Sequence, residues 1–217
     1  MPPKPKFTKE EIVRAALELV RERGADALTA REVGNQLGTS SSPIFTVFAD
    51  MEELRAAVRA MAKARFDAYM AVAEDYFPAY KKRGMQWVKF AKEEPRLFQL
   101  LFMQNGGAGM DFDRAVAGTL FGKEDDIRII MRDYRASREQ AEHLFRQMWT
   151  YTYGLCALCA AGVCTFSEAE IATRLGEIFR GMIYVLTEGA PDVQPTADFA
   201  ESARLREISP DLGEKKG

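Results

Sequence analysis

Residues 8–58 read TKEEIVRAALELVRERGADALTAREVGNQLGTSSSPIFTVFADMEELRAAV, and the punctuation of this stretch decides the fold. Thr8 opens a T-K-E-E box, in which Glu11 reaches back to the cap while the threonine bonds forward. The helix that follows sets Ile12, Ala16, Leu17 and Val20 on one side, and Gly24 ends it. Thr29 opens a second box, T-A-R-E, with Val33 and Leu37 turned inward and Gly38 closing a short helix. Gly38 sits where a sharp turn needs a positive φ or a close approach. Ser40 then reads as the cap of a third helix, with Pro43 in its first turn, where a missing N–H costs little. Asp50 caps a fourth helix, D-M-E-E, running through Leu54, Val58 and Met61 to about Tyr76. Ile44, Phe45 and Phe48 have helical spacing, and at least two of them are expected to pack on Ile12, Leu17 and Leu37. Three short helices, the last two joined by a tight turn holding a glycine, make a helix-turn-helix.

Beyond this head the chain of 217 residues continues as helices, with no run of alternating β-branched residues to suggest a sheet. The predicted class is all-α, a three-helix head joined to a larger helical body. Expected boundaries are 1–50 for the head, 51–188 for the body and 189–217 for a mobile tail. Pro78 opens a helix carrying Trp87, Val88, Phe90 and Ala91, and Pro95 opens PRLFQLLFM. Residues 104–123 are rich in glycine and read as partly looped. A helix near Asp125–Tyr134 follows. Ser137 caps a long helix with S-R-E-Q, and Ser167 caps the last main one with S-E-A-E, running to about Leu186.

Composition narrows the functional classes. The formal charge is −2, so any basic footprint for nucleic acid is local. Lys4, Lys6 and Lys9 supply one at the start. MPPKPKF lacks the apolar run of a secretory signal, which predicts a cytoplasmic protein. Three cysteines, Cys156, Cys159 and Cys164, cannot all pair with one another and fit a reducing compartment. Between Arg146 and Glu168 no residue is charged, yet Ala, Cys, Gly, Thr and Tyr dominate. That composition suits a helix buried in a core or an interface rather than a membrane span.

Residues 8–58 resemble the TetR family of bacterial transcription regulators in the order of their elements: helix, GADALT, second helix, LGTS, short third helix ending in Phe48, capped E-E-L helix. The later stretches FAKEEPRLFQLLF, EQAEHLFRQMWTYTYGLCAL and SEAEIATRLGEIFRGM are similar to body helices in one large branch of that family. The resemblance implies a homodimer, with the helices that start at Ser137 and Ser167 pairing with their symmetry mates. It also implies double-stranded operator DNA and a small-molecule effector as partners, with ligand binding respacing the heads, usually to relieve repression. The family's third helix commonly ends in Tyr, a variable residue, His and Phe. Here those positions are Phe45, Thr46, Val47 and Phe48, and the basic residue frequent at the start of the fourth helix is Met51. The usual phosphate-binding hydroxyl, imidazole and cation are therefore replaced.

The DNA-contact candidates left are small. Thr29 and Arg31 open the second helix, where N–H groups and a guanidinium hold phosphate. Thr39, Ser40, Ser41 and Ser42 offer hydroxyls to phosphates or base edges, and Pro43 and Thr46 suit thymine methyls. Lys4 and Lys6 form an arm for the backbone or a minor groove. In the body, Phe66, Met70, Trp87, Phe90, Phe102, Met103 and Trp149 read as core residues of which some line an apolar ligand cavity. His143 and Tyr153 add polar handles there. Cys156 and Cys159 share a helix face. Lacking a βαβ setting and further ligands, they read as buried small residues before a thiol sensor or a metal site. No G-x-S-x-G elbow, P-loop or zinc-ligand pair occurs, so the sequence predicts neither enzyme nor cofactor. The leading expectation is a TetR-type regulator that acts as a repressor. Its rivals are a TetR-like dimeric ligand- or protein-binding module with weak or lost DNA binding, and a thiol-based enzyme or sensor.

Overall fold

A computed structural model of the chain describes residues 6–73, 77–103, 112 and 123–188. Among the described residues there are eight α-helices with defined bounds and no strand. They are α1 (Lys9–Arg23), α2 (Ala30–Gln36), α3 (Met51–Ala71), α4 (Ala79–Glu93), α5 (Pro95–Phe102), α6 (Lys123–Tyr134), α7 (Arg138–Ala160) and α8 (Glu168–Glu188). The chain divides into two compact units, Met1–Arg180 and Gly181–Gly217. The second is described only over the last turns of α8, where Thr187 Oγ1 donates back to the carbonyl of Ile183 at 3.1 Å. No helix of the described residues is long and apolar enough to cross a membrane.

The predicted helix starts hold where side chains cap them. Thr8 accepts from the N–H of Glu11 at 3.2 Å while the Thr8 N–H donates to Glu11 Oε2 at 2.7 Å, a complete capping box. Ser137 and Gln140 repeat the box at α7. Ser167 and Glu170 exchange the same two bonds at α8. At α2 only half of the box forms. Thr29 Oγ1 accepts from the Glu32 N–H at 3.2 Å, but the Glu32 carboxylate turns to Arg23 at 2.5 Å. Asp50 caps α3 through the Glu53 N–H at 2.9 Å. The helix ends at Ala71 rather than near Tyr76, since Val72 and Ala73 form a turn and 74–76 lie outside the described residues.

The third helix is a correction. Residues 41–47 form a turn with one short 3₁₀ segment, Ile44–Thr46, and Ser40 caps nothing. The local chemistry accounts for this. Three serines and a proline favour turns over an α-helix. The Ile44 N–H donates to the Ser41 carbonyl at 3.1 Å, and Thr46 Oγ1 donates to the Pro43 carbonyl at 2.7 Å. The anchors still work. Ile44 and Phe48 are fully buried, worth about 1.5–3 kcal/mol each. Gly38 has φ +66°, as the turn requires. Gly34 is required by close approach, because a Cβ there would stand 2.9 Å from the Ser40 carbonyl carbon and oxygen.

A salt-bridged joint fixes the head to the body. Glu94, between α4 and α5, accepts two bonds from Arg21 of α1, each 2.8 Å, and one from Arg65 of α3 at 2.7 Å. Burial pushes the Glu94 carboxyl up, but the hydrogen bonds and charges of the two arginines outweigh it and hold the group below the ordinary range. Arg59 of α3 donates to the carbonyls of Leu100 and Leu101 at the end of α5, satisfying helix-end acceptors. Phe66 of α3 sits edge-on to Phe90 and Phe102, with ring centres 5.1 and 5.2 Å away.

Candidate nucleic-acid interface and interior cavity

The turn at 38–46 presents its polar atoms outward. Ser40 and Ser42 are exposed and Ser41 and Thr39 half-buried. None of the three serine hydroxyls has a hydrogen-bond partner among the described residues, so each is available to an outside acceptor or donor. Thr29 and Thr46 are exposed, but Thr29 is engaged as a cap and Thr46 as a donor to its own turn. Arg31, in the first turn of α2, is exposed and has no acidic partner among the described residues. Arg23, by contrast, is paired with Glu32, and Lys9 with Glu53 at 2.7 Å. Lys6 lies over the ring of Phe7, and Lys4 falls outside the described residues. One residue was not among the contact candidates. Phe45 is 49% exposed on the same turn, an apolar face beside the serines. Ile44 and Phe48 are the two packed members expected of the trio they form with Phe45, and Phe45 turns outward.

The body contains a cavity of about 130 Å³. Its walls come from α4 (Tyr80, Arg83, Trp87), α6 (Asp126, Tyr134), α7 (Met148, Trp149) and α8 (Leu175, Phe179). Gly84 of α4 leaves room at the wall, since a Cβ there would meet Leu175 at 3.3 Å. Arg83 Nε stands 2.6 Å from Asp126 Oδ1, an ion pair not aligned as a hydrogen bond. Burial pushes the Asp126 carboxyl up to about 6, against the downward pull of Arg83. Burial likewise raises Tyr134 to about 12. Trp149 Nε1 is buried and has no hydrogen-bond partner among the described residues.

Of the residues the sequence singled out for a ligand, Trp87 and Trp149 reach this cavity, with ring centres 5.7 Å apart. Phe66, Met70, Phe90 and Phe102 are buried in the core beyond it. Tyr153 stacks on Trp149 and spends its hydroxyl on the Phe102 carbonyl at 3.1 Å. Met103 is exposed beside a shallow apolar depression on α7. His143 is exposed too. It faces away from Ala141, Leu144, Phe145 and Met148, the buried side of α7. Arg83 and Asp126 went unrecognised because they are far apart in sequence and each looks like an ordinary surface charge. Cys156 and Cys159 are buried, and burial pushes both thiols up, the reverse of what a reactive thiol needs.

Residues 12–58 match the family model of bacterial regulatory proteins of the TetR family. Over this stretch the chain is similar to the TetR family. An uncharacterized HTH-type transcriptional regulator of Mycobacterium tuberculosis is 25% identical over 172 residues, 73% of this chain and 72% of that protein. The fold is similar to a TetR-like transcriptional regulator from Rhodococcus sp. RHA1, with a TM-score of 0.61 at 15% identity over 83% of this chain and 99% of that one. It is also similar to a TetR variant from Acinetobacter baumannii solved in complex with minocycline, with a TM-score of 0.54 at 15% identity over 87% and 98%. The family match is confined to the head, and the described residues share the all-α fold of these structures.

Proposed function

We propose that the chain is a TetR-family regulator, a homodimeric, cytoplasmic repressor whose affinity for a double-stranded operator is set by a small apolar or aromatic effector in the body. Residues 1–50 serve as the reading head, 51–188 as the effector and dimer domain, and 189–217 as a tail. The observation that carries this reading is the turn at 38–46. It exposes three unpartnered serine hydroxyls beside an unneutralised Arg31, on a head anchored from below by Ile44 and Phe48. In a helix-turn-helix the residues opening the third element meet the base edges, and this turn holds that place in the chain. Thr29, Thr39, Pro43 and Thr46 are further contacts in this reading, with Lys4 and Lys6 as its basic arm.

Effector control has a physical route. Trp149 and Trp87 of the cavity continue into Phe102 and then Phe66 of α3, with ring centres 5.7, 6.0 and 5.2 Å apart. The first turn of α3 is capped by Asp50, directly after the reading turn. A ligand that shifts the tryptophans therefore acts on the helix that carries the head. The similar fold solved with minocycline supports a body that admits a small molecule. Exposed Leu158, Val163 and Ile178 on and beside α7 and α8 supply apolar surface for a second copy.

Phe45, Val47 and Met51 favour the second reading, a ligand-binding dimer with weak DNA affinity, because none of them offers a phosphate a polar group. A mobility-shift assay with DNA from upstream of the protein's own gene separates the two. Specific retardation that weakens in a Ser41→Ala, Ser42→Ala variant supports the regulator and its contacts. No specific retardation even at low salt rejects the repressor.

A further inference from the structure

The cavity's polar groups are unbalanced in a way that names a ligand chemistry. Three cations line it, Lys81, Arg83 and Arg180, against one carboxylate, Asp126. Asp126 is committed to Arg83. Among the described residues neither Lys81 nor Arg180 has an acidic partner. The Arg180 guanidinium lies over Gly176, where a Cβ would come within 3.1 Å of it. Arg83 approaches Asp126 most closely through Nε, and its guanidinium makes no hydrogen bond to a described residue. Trp149 Nε1 is a further buried donor with nothing to donate to. The unanswered groups are thus donors and positive charges. An acceptor that is also an anion answers both, whereas a cation would add to the excess charge. The remaining wall is rings: Tyr134 meets Phe179 with centres 4.5 Å apart, and Trp87 meets Trp149 at 5.7 Å. At about 130 Å³ the space is close to the roughly 150 Å³ cavity that holds one benzene.

We propose that the cavity takes a small organic carboxylate built on a single apolar ring, its carboxylate held by the terminal nitrogens of Arg83 and by Trp149 Nε1, its ring among the aromatic walls. Asp126 acts as a positioning residue that fixes the guanidinium through Nε and leaves its other edge to the ligand. The assignment rests on the reading that the body holds an effector, and it adds that effector's charge and size.

Both tryptophans of the chain, Trp87 and Trp149, line the cavity, so intrinsic fluorescence reports its occupancy. The intact protein is titrated with benzoate, benzamide and benzylamine, three probes of one size with negative, neutral and positive groups. Benzoate should saturate the change and bind at least about tenfold tighter than either of the others. Arg83→Gln should weaken benzoate by about tenfold or more and leave benzamide within about twofold. Trp149→Phe, which keeps a ring but removes the donor, should weaken benzoate by about threefold or more with Trp87 still reporting. Benzamide binding as tightly as benzoate, or benzylamine binding tighter, overturns the anion assignment and leaves effector control standing. No change with any of the three overturns both at this cavity. An Arg83→Gln variant that folds and binds benzoate as well as the parent rejects the contact named here.

Discussion

Glu94 at the junction of α4 and α5 and Asp126 in the first turn of α6 are 5% and 4% exposed, yet their surroundings drive them in opposite directions. Glu94 has two arginines and three short hydrogen bonds, and its carboxyl is held below the ordinary range. Asp126 has one arginine, poorly aligned, and burial raises its carboxyl to about 6. Burial raises both carboxyls; at Glu94 two arginines outweigh it, and at Asp126 one does not. The first site is a joint, closing head on body with every oxygen engaged. The second is an unfinished site beside a cavity, with donors to spare.

The largest expected effect is at the joint. Glu94→Ala leaves Arg21 and Arg65 facing each other, and it should lower stability by about 2–3 kcal/mol in urea unfolding, discounted because both arginines are partly solvated. Asp126→Asn should instead leave stability at pH 7 equal or higher, since the amide resembles the protonated form that burial favours. Equal losses at the two sites would break the contrast.

The pH dependence should split the same way. Glu94 is depressed in the folded protein, so its contribution is present at neutral pH and disappears as pH falls through its lowered value. Asp126 is raised, so between about 6 and the ordinary carboxyl range of 3.8 the folded state binds more protons than the unfolded one. Its contribution to stability therefore grows as pH falls through 6. The difference in unfolding free energy between the parent and Asp126→Asn should begin to change as pH falls below about 6 and level off near 3.8. A flat difference from pH 7 to 4.5 would show that Asp126 is fully compensated by Arg83.

The smallest expected effect on stability is at the reading turn. Ser41→Ala with Ser42→Ala should change unfolding by less than about 0.5 kcal/mol, because neither hydroxyl is bonded within the protein, while DNA affinity falls. A larger loss of stability would make these serines part of the turn's own structure.

These regions also differed in how well they could be read from the sequence. The head's starts and stops are local chemistry: Thr8, Thr29, Asp50 and Gly38 act within three or four residues, and their roles were visible in TKEE, TARE, DMEE and LGTS. The third helix was misread because SSSP satisfies cap and first-turn rules while also favouring a turn, and the turn won. The cavity was only half legible. Trp87 and Trp149 are large enough to announce themselves, but ring size does not say which aromatics face a void. Phe66, Phe90 and Phe102 went into the core, and His143 fell on the exposed side of α7. Arg83 and Asp126 meet only through tertiary packing, and no spacing rule connects them.

The central claim is that this head reads DNA with hydroxyls and few cations. Its most direct test is the salt dependence of specific binding to upstream DNA, followed by fluorescence anisotropy of a labelled duplex. Lys4, Lys6 and Arg31 give three cations per protomer, and at about 0.9 per phosphate a dimer should show a slope of log affinity against log salt no steeper than about −5. Arg31→Ala should make that slope shallower by about 2, one phosphate on each head. A slope steeper than about −8, or a slope that Arg31→Ala does not move, would contradict the account.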